Sequence, residues 1–154
     1  MHLVTGDMWE EIGKARLILF TANASINSRG ELVMGRGAAA EAKARYPDLP
    51  RQIGRDLLEE YEDHRPYHVW LPPEFGESAP SVTHVGAFQV KHRWQDAASL
   101  TLIRQSAQYL AELIRGTPWR VAMNFPGIGY GRLRRKDVLP LLEALPDGVF
   151  VYEC

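Results

Sequence analysis

Apolar positions along this chain fall into short runs, and the runs are of two alternating kinds. Residues 1–4, 17–20, 67–71, 83–90, 119–123 and 149–152 read as strands. Leu17-Ile18-Leu19-Phe20 is apolar at every position, as a strand buried on both faces requires. Between these runs the spacing changes to that of helices. Residues 37–46 are alanine-rich and end at Pro47, residues 51–62 form a second helical stretch, and residues 136–145 a last one. The clearest helix covers 97–115, where Leu100, Ile103, Ala107, Leu110 and Ile114 share one face and Asp96 offers an N-cap. One or two turns are expected over 8–13. Residues 72–81, with Pro72, Pro73, Gly76 and Pro80, read as an irregular surface loop. This alternation predicts an α/β fold, a mostly parallel sheet covered by helices on both faces. Ligands of such sheets gather outside the carboxyl ends of the strands.

Composition narrows the classes. A length of 154 residues suits one domain, and 45% hydrophobic residues supply a sizeable core. A formal net charge of −1 gives no global positive field for nucleic acid, leaving only local basic patches for that role. The single cysteine, Cys154, excludes an intramolecular disulfide and fits a reducing cytosol. No apolar run reaches membrane-spanning length, and the first residues lack the zones of a signal peptide. A cytoplasmic protein without membrane contact is therefore expected. His64 and His68 flank a proline, and His84 and His92 fall on separate stretches, so no metal spacing is present. Ser25 and Ser28 have no recognisable histidine partner for a hydrolase triad.

Three predicted strand ends carry unusual residues. The first is Thr5-Gly6-Asp7, followed by Met8. Asp7 either caps the next helix, the simpler reading, or accepts a hydrogen bond from an adenine amino group. The second is residues 23–37. Met34-Gly35-Arg36-Gly37 opens the alanine-rich helix at Ala38, where free N–H groups and the helix dipole favour an anion. An ordinary glycine turn fits that segment equally. The third is Asn124-Phe125-Pro126-Gly127-Ile128-Gly129-Tyr130-Gly131, whose alternate glycines suit a backbone wrapped round a diphosphate. The spacing is neither a dinucleotide fingerprint nor a P-loop.

Taken in order, these segments resemble a macro domain over nearly the whole chain. Gly6-Asp7 resembles the family's adenine-side motif, and Gly35-Arg36-Gly37 and Gly127-Ile128-Gly129-Tyr130-Gly131 its two phosphate-contacting loops. Met34-Gly35-Arg36-Gly37 with Lys43-Ala44-Arg45-Tyr46-Pro47, and Val90-Lys91-His92-Arg93-Trp94, are similar to one branch of the family. That branch contains terminal ADP-ribose glycohydrolase and a bacterial antitoxin that removes ADP-ribose from thymidine in DNA. The resemblance implies a three-layer α/β/α sandwich with a mixed, mostly parallel six-stranded sheet, a single macro domain over 1–154. It implies ADP-ribose as ligand, held by Gly6, Asp7, Met8, Asn23, Gly35, Arg36, Gly37, Ala38, Pro126, Gly127, Ile128, Gly129, Tyr130 and Gly131. Asn23 either meets a ribose hydroxyl or satisfies loop backbone, and Tyr130 either covers the distal ribose or packs.

The resemblance also implies a catalytic lysine in the first helix, matched here by Lys43. Its side chain leans toward the helix N-terminus, and a desolvated, neutral amine there can form a Schiff base with an opened ribose. A solvated surface lysine is the competing reading. The human-type enzymes of that branch place an aspartate where this chain has Gly131, and the antitoxin-like members lack it as well. Arg132, Arg134, Arg135 and Lys136, together with Lys91, His92, Arg93 and Trp94, offer a basic rim for ADP-ribosylated DNA. The competing reading there is a solvated helix start and a tryptophan packed on the next helix. Three functions follow: an ADP-ribosyl hydrolase acting on DNA or protein, a non-catalytic ADP-ribose-binding module, and a hydrolase of a small ADP-ribose derivative. Each is expected of a monomer that uses neither metal nor cofactor.

Overall fold

The computed structural model describes residues 1–61 and 65–154. Six strands, β1 (His2–Thr5), β2 (Leu17–Ala22), β3 (Val69–Trp70), β4 (His84–Gln89), β5 (Val121–Asn124) and β6 (Val149–Glu153), form one sheet in the order β1-β6-β5-β2-β4-β3. Neighbouring strands run parallel except β3, which is antiparallel to β4. Four α-helices are described: α1 (Gly37–Arg45), α2 (Leu49–Glu60), α3 (Leu100–Ile114) and α4 (Arg135–Leu142). None is long and apolar enough to cross a membrane.

The period of two along each strand divides the core. Leu17, Leu19, Phe88, Met123 and Val151 face α3 and α4, where Ile103, Leu110, Val138 and Leu142 meet them. Ile18, Phe20, Ala87 and Ala122 face the other way, onto Ala42 of α1 and Ile53 and Leu57 of α2. The result is the expected α/β/α sandwich. Leu17 through Phe20 are wholly buried, which is why that run shows no polar alternation.

Several boundaries move for local reasons. Helix α2 starts at Leu49 with a proline in its first turn, where a missing N–H costs nothing. The expected end of that helix at Glu62 lies outside the described residues, as does His64. Helix α3 starts at Leu100, and its N-cap is Ser99, whose Oγ accepts from the Leu102 amide at 3.2 Å. Asp96, expected in that role, instead pairs with Arg93 at 3.2 Å. Helix α4 ends at Leu142. The loop over 72–81 contains a 3-10 turn, Pro73–Glu77, and is organised by one buried arginine. Arg16 donates through Nη1 to Ser78 Oγ and the carbonyls of Ala79 and Val82, and through Nη2 to the carbonyl of Phe75, at 2.8–3.1 Å.

Parallel pairing sends β1, β2, β4, β5 and β6 to a common rim. Ala22 lies opposite Gln89, and Asn124 opposite Tyr152. The segments that follow those strands converge there.

Candidate functional site

Outside the carboxyl ends of β2, β4, β5 and β6 lies a cavity of about 640 Å³, within the range of small-ligand pockets. Its floor is Thr21, Ala22 and Asn124. Asn124 ties the two central strands together, accepting from the Thr21 amide and donating to Thr21 Oγ1, both at 3.0 Å.

Two backbone walls face the cavity. One is the start of α1. Arg36 occupies the N-cap in an extended conformation, Gly37 has φ +57°, and no side chain caps the helix. Among the described residues the amides of Gly37, Ala38 and Ala39 donate to no acceptor, while Ala40 is the first to bond back, to Arg36. The other wall is the loop 127–131. Gly127 has φ +81°, a conformation that favours glycine, and a Cβ there would also press on the ends of the Ile103 and Leu133 side chains at 2.7 and 2.9 Å. Gly129 has φ +63° with open space where a Cβ would point. The amides of Ile128, Gly129 and Tyr130 also lack protein acceptors among the described residues. Two sets of free N–H groups on opposite loops make an anion cradle.

Unpaired cations surround it. Arg36 makes no ion pair among the described residues; its guanidinium lies 5.7 Å from the centre of the Trp94 ring and 5.3 Å from that of Tyr130. Lys91, directly after β4, donates to the Asp96 carbonyl at 3.2 Å, and Arg132 to the Gln95 carbonyl at 3.0 Å. Burial, with Arg132 and Arg36 close by, pushes the Lys91 ammonium below the usual lysine range. Three other members of the expected basic rim are paired: Arg93 with Asp96, Arg134 with Asp137, and Arg135 with Glu153. Trp94 is not packed on α3. It is 46% exposed, held by its amide on Ser25 Oγ at 2.9 Å, and its ring forms part of the cavity mouth.

The expected site residues divide into two groups. Gly35, Arg36, Gly37, Ala38, Gly127, Ile128, Gly129, Tyr130, Gly131 and Asn23 all line the cavity. Asn23 does so with its amide engaged, donating to Val33 O at 3.0 Å and accepting from Ser25 N at 2.9 Å. Gly6, Asp7, Met8 and Pro126 do not line the cavity. Asp7 is the N-cap of the 3-10 turn Met8–Glu11, accepting from Trp9 N at 3.0 Å. Gly6 backs the ring of Tyr152, 3.8 Å from where its Cβ would be. Lys43 is exposed on α1 and is not a lining residue. Lining residues that sequence reasoning did not expect to hold ADP-ribose include Glu41, Lys91, Asn124, Tyr152 and Glu153, Lys91 having been expected only in a basic rim. Three of them, Asn124, Tyr152 and Glu153, end parallel strands and Lys91 follows one closely, the position where such sheets keep their ligands.

No family model and no curated protein sequence matches the chain. Solved structures do. The macrodomain of Thermus aquaticus DarG superimposes with a TM-score of 0.74 at 23% identity, covering 99% of this chain and 97% of that one. The macrodomain of Mycobacterium tuberculosis DarG gives 0.74 at 22% identity, covering 99% and 97%. Thermosipho africanus DarTG in complex with ADP-ribose gives 0.72 at 22% identity, covering 99% of this chain but 41% of that protein. The chain therefore has the macrodomain fold.

Proposed function

We propose that the cavity binds ADP-ribose and that the protein, acting as a single macro domain, removes ADP-ribose from a macromolecule, DNA or protein. The carrying observation is the convergence of two uncapped backbone loops on one cavity beside Arg36, Lys91 and Arg132, which form no ion pair among the described residues. A diphosphate held between Gly35–Ala38 and Gly127–Gly131 would satisfy amides that otherwise have no partner. The base then lies toward Tyr152, with Gly6, Asp7 and Met8 supporting that wall, and the distal ribose toward Tyr130 and Lys91. A monomer in the cytoplasm with no membrane contact belongs to the same reading.

For the chemistry we assign the amine to Lys91 instead of Lys43, because Lys91 lines the cavity and Lys43 does not. The neutral amine of Lys91 attacks C1″ of the distal ribose, the bond from C1″ to the DNA or protein breaks and that group leaves with a proton. The ring opens to a Schiff base, and water hydrolyses the imine to release ADP-ribose and restore the amine. Its partly buried setting among cations favours the neutral form at lower pH than for a free lysine. The exposed Trp94 beside Arg36 and Arg132 supports DNA as carrier of the ADP-ribose.

One observation favours the second reading, a binding module without turnover. Gly131, at the place of the human-type aspartate, is buried, and a Cβ there would stand 3.0 Å from Ala98 Cβ, so a side chain at this position would require Ala98 to give way. Incubation with ADP-ribosylated DNA and with glutamate-ADP-ribosylated protein separates the readings. Hydrolysis is expected from the parent, with a rate that rises with pH as Lys91 loses its proton. Lys91→Ala should lower the rate at least a hundredfold, within the usual effect of losing such a group, and keep ADP-ribose affinity. Lys43→Ala should stay active. Activity that survives in Lys91→Ala and disappears in Lys43→Ala would return the amine to α1. A parent inert on both substrates would leave the binding module.

A further inference from the structure

We infer that Glu11 is a positioning residue for this site: clamped by Arg120, its carboxylate fixes the Tyr152 ring as the wall against which the ligand's base lies. The inference deepens the ADP-ribose reading and rests on its placement of the base.

Glu11 closes the 3-10 turn Met8–Glu11 and is only 4% exposed. A carboxylate so deeply buried is costly unless all its lone pairs find partners. Both oxygens are engaged. Arg120 Nε donates to Oε1 at 2.6 Å and Nη2 to Oε2 at 2.9 Å. The third donor is the Tyr152 hydroxyl, at 2.5 Å from Oε2. Arg120 is itself fixed, its guanidinium 3.7 Å from the centre of the Phe150 ring.

Tyr152 belongs to two environments at once. Its hydroxyl is drawn to this buried ion pair, while the residue lines the cavity at the β6 end. Gly6 lies close against the ring, and the Gly6 amide donates to Glu153 O at 2.8 Å, so β1 and β6 hold the backbone on either side. Tethering the hydroxyl stops a tyrosine ring from swinging about its first side-chain torsion, and because a phenol O–H keeps to the ring plane, the acceptor it meets also sets the direction of that plane. Here the far end is tied to a carboxylate that cannot move without breaking an ion pair. The ring therefore presents one surface to the cavity before any ligand arrives, and a base that stacks on it need not order it. Neither Glu11 nor Arg120 lines the cavity, so each acts only through Tyr152.

The test is a double-mutant cycle on ADP-ribose affinity with Glu11→Gln, Tyr152→Phe and the pair. Tyr152→Phe keeps the ring and the fold and removes only the tie. Each single variant should weaken ADP-ribose about five- to tenfold, the effect of having to order one side chain on binding. The pair should bind no worse than Glu11→Gln alone, because both changes cut the same link. Inorganic pyrophosphate, which has no base, should compete for the amide loops equally well in all four proteins. Variants that melt lower but bind ADP-ribose like the parent would overturn the inference and leave the ADP-ribose reading standing, as would equal losses for ADP-ribose and pyrophosphate. A parent that does not bind ADP-ribose would overturn both.

Discussion

The two poles of the sheet are each organised around an arginine, and the two arginines are used in opposite ways. At the amino pole, Arg16 precedes β2, is 8% exposed, and binds four acceptors of the 72–83 segment while lying 4.5 Å from the centre of the Phe75 ring. Only its Nε is left without a partner. The neighbouring groups are closed off too: Thr83 donates to the Ala15 carbonyl, and His84 Nε2 lies 2.6 Å from Ser78 Oγ. At the carboxyl pole, Arg36 is exposed, lies by the rings of Trp94 and Tyr130, and stands beside backbone amides that have no acceptor among the described residues. A buried polar group that finds its partners inside the chain adds stability and leaves nothing for a ligand. Donors left open at the edge of a cavity add little stability and wait for an anion.

That contrast sets the order of three expected effects. Arg16→Met strands four acceptors of a packed loop and should cost about 3 kcal/mol or more, a melting decrease of roughly 6–12 °C for a chain of this size. ADP-ribose affinity measured well below the transition should not change. A melting shift below roughly 2 °C would mean that Arg16 does not hold that loop. Arg36→Ala should do the reverse, weakening ADP-ribose by about 1–2 kcal/mol while leaving stability within roughly 0.5 kcal/mol. If Arg36→Ala melts early and binds normally, the two poles are not distinct in the sense described. Asp7→Ala is the smallest change. The lost cap should cost about 1 kcal/mol of stability, with ADP-ribose affinity held within twofold. A clear loss of affinity at unchanged melting temperature would show that the carboxylate reaches the adenine after all.

What the sequence reveals follows the range of the interactions concerned. Leu17 through Phe20 declare a buried strand because full burial on both faces needs an unbroken apolar run. Gly127 and Gly129 are legible because positive φ singles out glycine within a few residues. The cavity lysine is harder to find. Lys43 and Lys91 both follow plausible motifs, and only the packing of α1 on the sheet decides which one borders the cavity. Asp96 and Ser99 are both good N-caps by type, and the choice depends on Arg93 capturing Asp96. Trp94 reads either as part of an exposed rim or as packed on the next helix, and in the structure it is turned outward with its amide bonded to Ser25 Oγ. The Glu11–Arg120–Tyr152 link joins residues more than a hundred positions apart, beyond any local pattern. The same holds for Arg16 and the loop that it gathers.

The most direct measurement is a calorimetric titration of ADP-ribose into the parent protein and into Gly129→Glu. Gly129 points at open space in the cradle, so a glutamate there brings bulk and negative charge to where the diphosphate is expected. The expected result is one site of micromolar affinity or tighter in the parent, weaker binding of AMP, and no detectable heat with the variant. A parent that shows neither heat nor thermal stabilisation with excess ADP-ribose, or a Gly129→Glu protein that binds as tightly as the parent, would contradict the assignment of this cavity.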